Sequence, residues 1–210
     1  ARYDIPFVLT MHGTERVRHG GQLPLGHPTD INSIEWWLAF QADRMISPTR
    51  FIVEQLITGF ELADDHVTHI PNGIDPELWR PADGLATPTG PRPPLVVSWG
   101  RVQYEKGFQV LARAIHEVRS RVPEVQSVIA GRGSYLPELQ TQVDVEGVSD
   151  IVDLPGYLSD IELRQLVHRA GCVVIPSLYE PFGIVALEAL AAGAPLIVAR
   201  TGGLAELVAG

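Results

Sequence analysis

The sequence predicts an α/β protein built on parallel sheets. From Leu95 onward, short apolar runs alternate with helical stretches to the end of the chain. The apolar runs are continuous rather than polar-alternating, as in strands covered on both faces. Each run ends in a glycine-bearing loop that leads into the next helical stretch, which is where open α/β sheets bind ligands.

In chain order, Phe7 to Thr10 reads as a short strand that enters Met11-His12-Gly13-Thr14-Glu15 and a long loop to Pro28. A loop of that length in a compact domain is usually functional or mobile. Thr29 or Asp30 is expected to cap the next helix, with Glu35 in its early turns and Ile34, Trp37, Leu38 and Ala42 as its apolar stripe. Trp36 and Trp37 cannot share a helix face, so at least one of them is expected in the core. Arg44 to Ser47 reads as a strand. Ser47-Pro48-Thr49 opens a helix that runs to Thr58 and stops at Gly59, and Val67 to Ile70 is a strand entering the turn Asn72-Gly73. Residues 76–94, rich in Pro, Gly and Thr without a period, predict a hinge.

The chain therefore divides into residues 1–75, the hinge 76–94, and 95–210. In the last part, strands are expected over 95–99, 125–130, 151–154, 172–175 and 196–198. Helices are expected over 107–121, 135–146, 160–169 and 184–192, with another beginning at Leu204. The first part lacks early βα units, the last part ends on a helix just begun, and residue 1 is Ala rather than Met. The expectation is a fold truncated at both ends.

Composition bounds the function. At 210 residues, 45% hydrophobic and 20% charged, the chain suits one large domain or two small ones. No apolar run approaches the roughly 18 residues of a membrane span. A net charge of −9 argues against a general nucleic-acid surface, so an anionic ligand needs a local cationic pocket. The single Cys172, in Gly-Cys-Val-Val-Ile, excludes an internal disulfide, reads as a buried strand thiol and fits a cytoplasmic protein.

The loops carry the chemistry. Gly100-Arg101-Val-Gln-Tyr-Glu-Lys106-Gly107 sets two cations near a strand end and a helix N-terminus, an arrangement that suits an anion, or else a solvated basic loop. Gly131-Arg-Gly133 is a plain tight turn or a place where a ligand approaches backbone. Tyr157 and Leu158 can cover a flat ring or simply pack. Gly202-Gly203 lets a ligand approach a helix start, or only turns the chain. Such loops converge on one edge of an α/β sheet, so together they describe a pocket for a phosphorylated ligand bearing hydroxyls. Glu180 and Glu188 are eight positions apart. On a helix that is about 12 Å at 1.5 Å per residue, wider than the roughly 5–9.5 Å of hydrolytic carboxylate pairs. That separation suits the two sugars of a nucleotide sugar. His12 follows a strand end, where a ligand contact competes with a structural role. His66 and His69 point to opposite faces of a strand, which disfavours a shared metal, and no Asp-x-Asp metal signature occurs.

These residues together resemble the family 4 glycosyltransferases. The marks are Glu180-Pro-Phe-Gly-Ile-Val-Ala-Leu-Glu188, Gly100-Arg101 with Lys106-Gly107, Asn72-Gly73-Ile74-Asp75, and Gly202-Gly203 with Glu206. The resemblance implies the glycosyltransferase B fold, two Rossmann-like domains facing across a cleft, with residues 1–75 on the acceptor side and 95–210 binding the donor. It implies a metal-free, retaining transfer of a hexose, with glucose favoured, from a nucleotide-diphosphate sugar to a hydroxyl of a glycan or small acceptor. Arg101 and Lys106 are then expected on the diphosphate, Glu188 on the ribose and Glu180 on the transferred sugar. The backbone of Phe182, Gly183 and Ile184 faces sugar and phosphates, and His12 contacts the transferred sugar. Tyr179-Glu180-Pro-Phe-Gly and His12-Gly-Thr-Glu15 look most like glycogen-synthase-like bacterial α-glucosyltransferases, although relatives more often carry Ala at the position of Gly13. A hydrolysing nucleotide-sugar 2-epimerase of the same fold and a noncatalytic nucleotide-sugar-binding module remain as alternatives.

Overall fold

The computed structural model describes residues 5–20, 22–81 and 90–208. Residues 82–89 of the expected hinge, Gly21 and both chain ends lie outside the described residues. The chain forms two compact units. One comprises Ala1–Gly73 with Tyr179–Phe182 and Gly202–Gly210; the other comprises Ile74–Leu178 with Gly183–Thr201. Two short pieces of the expected 95–210 domain thus group with the first unit.

The first unit holds a parallel three-stranded sheet in sequential order, β1 (Val8–Thr10), β2 (Arg44–Ser47) and β3 (Val67–His69). Its helices are α1 (Glu15–Arg18), α2 (His27–Gln41) and α3 (Arg50–Phe60). In α3, Ile52, Leu56 and Phe60 recur every four residues, so they share one face. That face joins Met45, Val67 and Ala39 in the unit's core. Thr49 caps α3 by accepting from the Ile52 N–H at 3.2 Å.

The structure corrects four expectations here. First, α2 is capped at Gly26, three residues ahead of the expected Thr29, because Pro28 is already shaped for a first helical turn; Thr29 is inside the helix and its hydroxyl donates to Pro24 O at 2.9 Å. Second, Gly59 does not stop α3. Burial of Phe60 carries the helix past it, and Glu61 at φ 55° closes the end, with the Leu62 N–H donating to Ile57 O. Third, neither tryptophan of α2 is in the core. Trp36 is 44% and Trp37 56% exposed, and Trp36 stacks on Phe40 with centroids 5.5 Å apart. Ile34 is exposed as well, and Ala39 is the residue α2 buries. Fourth, the one-turn α1 lies within the expected long loop.

The second unit holds β4 (Leu95–Trp99), β5 (Gln126–Ala130), β6 (Val152–Gly156), β7 (Cys172–Ile175) and β8 (Leu196–Val198). All pair in parallel, in the order β6-β5-β4-β7-β8. Between them run α4 (Phe108–Arg119), α5 (Leu136–Val145), α6 (Asp160–Arg169) and α7 (Ile184–Ala191). α8 (Gly202–Val208) follows β8 and belongs to the first unit. Phe108, Leu111 and Ile115 of α4 and Leu139 and Val143 of α5 meet Val96, Ile129 and Val152 of the sheet in one buried cluster. Ser159 and Glu162 form a reciprocal capping box that starts α6 where the sequence places it. Cys172 is a half-buried strand thiol whose pKa burial raises.

The first residues of the expected hinge are structured. Pro76–Trp79 form a 3-10 turn capped by Asp75, which accepts from the Glu77 N–H. The turn is held by α6: Arg164 donates to Leu78 O at 2.9 Å and the His168 ring to Trp79 O at 2.7 Å. Among the described residues, no helix is long and apolar enough to cross a membrane.

The ends of β4 and β5 meet at Gly131. Its φ is 148°, and a Cβ there would overlap the Gly100 carbonyl oxygen. We predict that Gly131→Ala lowers unfolding free energy by about 2 kcal/mol, from strain and overpacking together, measured by urea titration. An unchanged midpoint would show that the two loops do not approach so closely.

Candidate active site

Strand order reverses at β4. The chain goes from β4 to β5 and β6 on one side, then returns to place β7 on the other. Loops on either side of such a reversal diverge and leave a crevice at the C-terminal strand ends. Three of these ends line a cavity of 330 Å³: Trp99 to Arg101 after β4, Ala130 to Arg132 after β5, and Tyr157 and Leu158 after β6, with Leu163 of α6 at its side. Arg101, Gly131, Tyr157 and Leu158, all expected in the site from sequence, are thereby brought together. The Arg132 guanidinium lies 5.3 Å from the centroid of the Tyr157 ring, a cation–π distance.

Trp99 links this cavity to Glu188. Its indole N–H donates to Glu188 Oε2 at 3.2 Å, and its ring stacks on Trp79 with centroids 6.0 Å apart. Burial raises the pKa of the Glu188 carboxyl; the Trp99 bond opposes the shift and the Asp160 charge adds to it. Glu188 is thus a partly buried carboxylate with one donor, one hydrogen bond from the cavity wall.

The loop after β4 is exposed at Arg101, then tightens into a 3-10 turn, Tyr104–Lys106. Lys106 is partly buried at the end of this turn, just before α4. Leu178, in the loop after β7, fastens the neighbouring loops: its N–H donates to Glu105 O at 2.8 Å, and its carbonyl accepts from Thr201 Oγ1 at 3.1 Å.

Glu180 and Phe182 lie in the first unit, both buried. Gly183, at φ 97°, is the residue before α7, whose first residue, Ile184, is exposed. Because the helix starts only at Ile184, the segment from Glu180 to Gly183 is not helical, and the separation of about 12 Å from helical rise does not apply. Pro181 and the left-handed Gly183 break the period that the sequence argument assumed. The peptide around Glu180 is pinned instead by its own carbonyls. Glu180 O accepts from the Gly203 N–H and Pro181 O accepts from Thr49 Oγ1, each at 2.9 Å.

Gly202 and Gly203 make this contact possible. A Cβ at Gly202 would overlap the Glu180 carbonyl, and one at Gly203 would lie 2.7 Å from the Phe182 Cα. What approaches these glycines is the protein's own backbone. Glu206, in the next turn of α8, accepts from the Arg50 and Phe51 N–H groups at 3.0 and 2.6 Å, so it tops α3 beside Thr49.

His12 is exposed in the first unit, two residues past the end of β1. Next to it, a Cβ on Gly13 would sit 3.1 Å from the Tyr179 hydroxyl. A side chain at Gly13 would therefore need this tyrosine to give way by a few tenths of an ångström. Burial pushes the pKa of the Tyr179 hydroxyl up to about 12, against the opposing effects of the Arg18 charge and the Thr14 backbone. His66 and His69 each donate a ring N–H to a backbone carbonyl, of Ala39 and Pro48, a structural role for both. Among the described residues, no group of three His, Cys, Asp or Glu side chains is placed to hold a metal ion.

Sequence reasoning missed Trp99, Arg132 and Leu163 as wall residues. The first ends a strand and the second lies inside Gly-Arg-Gly, so position alone points to both; Leu163 carries no such signal.

Comparison with known proteins agrees with this architecture. The model of the family described as Glycosyl transferases group 1 matches residues 86–210, and that of Glycosyltransferase Family 4 matches residues 1–78. The chain is 37% identical over 206 residues to a Mycobacterium tuberculosis glycogen synthase, covering 98% of this chain and 49% of that protein. It is 33% identical over 225 residues to a Nocardiopsis dassonvillei D-inositol 3-phosphate glycosyltransferase, covering 99% and 52%. The chain thus spans about half the length of the curated relatives it matches. Among solved structures, it superposes on a Thermosynechococcus elongatus sucrose-phosphate synthase with a TM-score of 0.81 at 24% identity, covering 99% of this chain and 53% of that one. It superposes on Anabaena HepE, solved with UDP and glucose, with a TM-score of 0.79 at 24% identity, covering 97% and 55%. The fold is that of the glycosyltransferase B class, and the chain belongs to the group 1 glycosyl transferases.

Proposed function

We propose that this chain carries the donor site of a retaining glycosyltransferase, which moves a hexose from a nucleotide-diphosphate sugar to a hydroxyl of a glycan or small acceptor. The observation that carries the reading is the cavity at the ends of β4, β5 and β6, with Arg101 on its wall and Glu188 bonded to Trp99 at its edge. A flat base fits between the Gly131 backbone and Tyr157 with Leu158. Arg101 and Lys106 take the diphosphate, and Glu188 accepts from the ribose hydroxyls. Similarity to a glycogen synthase, and to HepE with bound UDP and glucose, favours glucose as the hexose and a uridine or related nucleotide as its carrier.

In this reading the bond between the anomeric carbon and the diphosphate oxygen breaks, and the acceptor oxygen bonds to that carbon on the same face. The acceptor proton passes to the departing phosphate. Negative charge grows on the leaving diphosphate, where Arg101, Lys106 and the start of α4 oppose it without a metal. Positive charge grows on the sugar, which Glu180 and His12 contact, while the Phe182, Gly183 and Ile184 backbone lines the sugar and phosphates. Gly202 and Gly203 serve the same place by letting the Glu180 peptide settle. With a lone cysteine and no disulfide to keep oxidised, we place the protein in the cytoplasm.

In the whole protein, Arg101→Ala and Lys106→Ala should each lower kcat by about 100-fold while raising donor KM far less, because the charge they meet develops in the transition state. Nucleotide diphosphate release assays report this, and unchanged turnover in both variants would sink the diphosphate assignment. The same assay without acceptor would reveal a 2-epimerase through a C2-inverted sugar.

Glu188 gives a pH test. Its folded pKa is raised, so folding favours the protonated form, and stability falls as pH rises from the ordinary carboxylate range through the raised value. Glu188→Gln should therefore melt higher than wild type at pH 7 and level with it in acid below that range, while binding donor more weakly at pH 7. Equal melting temperatures at both pH values would contradict the burial cost.

A further inference from the structure

The His12 segment is held at both ends. At its start, the Met11 N–H donates to Ile46 O at 2.9 Å and the Met11 carbonyl accepts from the buried Ser47 hydroxyl at 3.1 Å. At its far end the chain enters α1, a single turn of four residues. A helix that short does not hold itself, since its hydrogen bonds do not repay the ordering of its backbone. Thr14 supplies one anchor by accepting from the Val17 N–H at 3.3 Å. The Glu15 N–H, an orphan donor of the first turn, finds its acceptor twenty residues away in the Glu35 carboxylate, with the two oxygens at 3.1 and 3.0 Å.

Glu35 is on the fifteen-residue α2, a far stiffer element than the loop it holds. Its carboxyl is half-buried, and burial raises its pKa more than the Glu15 N–H bond lowers it; Glu15 raises it further and Arg18 lowers it. Glu15 itself is buried and paired with Arg18 at 3.2 Å and His19 at 3.1 Å. Holding a second carboxylate beside this group costs free energy, through burial and through repulsion from Glu15, and the bond to the Glu15 N–H offsets part of that cost.

We propose that Glu35 is a positioning residue: through the Glu15 N–H it fixes the end of the Met11–Thr14 segment and thereby the placement of His12. This rests on the transferase reading in one respect only, that His12 meets the transferred sugar.

The experiment uses the whole protein with Glu35→Ala and Glu35→Gln, read by hydrogen–deuterium exchange over residues 11–19 and by steady-state kinetics. Glu35→Ala is expected to speed exchange at Glu15 and to lower kcat about 10- to 100-fold, the scale of small misplacements of a reacting group, with donor KM changed by less than about twofold because the diphosphate and ribose contacts remain. Glu35→Gln keeps one acceptor oxygen and should restore both the slow exchange and most of kcat. If Glu35→Ala does not fold, Glu35→Asp, which withdraws the carboxylate by one methylene, takes its place with the same expected direction. Unchanged exchange in Glu35→Ala overturns the anchor. Faster exchange with unaltered kcat overturns the role in placing His12, and loss of kcat in Glu35→Gln equal to that in Glu35→Ala shows that charge, not position, is what matters. A wild-type enzyme silent with every nucleotide sugar would instead fail the transferase reading, while the exchange measurement still decides the anchor.

Discussion

β4 is hydrogen-bonded on both edges, to β5 over its whole length and to β7 near its start. Val96, Val97, Ser98 and Trp99 are all buried, so the strand has no solvent-facing side and no freedom of register. The geometry of the site follows from that. Trp99 emerges at a fixed place, where one side of its indole is stacked and its N–H reaches Glu188. Gly100 presents its carbonyl to the glycine of the next loop. Arg101 leaves the sheet at the one point where neighbouring loops part in opposite directions. A change in β4 would move all three together, whereas a change in any single loop would not.

Local pattern made much of this legible. The expected limits of β2, β4, β7, β8 and α6 are those of the structure, and in β4, β7 and β8 a short apolar run marks its own ends. Elsewhere, tertiary packing overrode local signals. Gly59 is a fair helix stop until Phe60 has a core to enter. Thr29 is a fair cap until Pro28 begins the turn ahead of it. The helical rise applied between Glu180 and Glu188 fails over the first four residues, which precede α7 and are held by carbonyl contacts to Thr49 and Gly203, far away in sequence. No window of sequence contains those partners.

The candidate site divides in the same way. Residues whose chemistry is unusual for their place could be singled out, as with a glutamate in an apolar helix or a cation pair beside a strand end. Those that act through support could not. Nothing about Glu35 in the sequence distinguishes it from any solvated helical glutamate; its meaning comes from the one N–H it accepts. Similarly, Gly202-Gly203 was legible as a place of close approach, while the identity of what approaches was not.

The grouping of segments 179–182 and 202–210 with the first unit means the chain passes between units at four places, near residues 73, 178, 182 and 201. Neither unit is a continuous stretch of polypeptide. A single cut near residue 74 therefore does not release two self-sufficient pieces: the N-terminal product lacks Pro181 for its Thr49 hydroxyl and Glu206 for the start of α3, while the other carries those segments without their hosts. Protease nicking, split expression and domain shuffling at the hinge all run into this interlacing of the chain, which ties the glutamate-bearing loop to both units by covalent bonds.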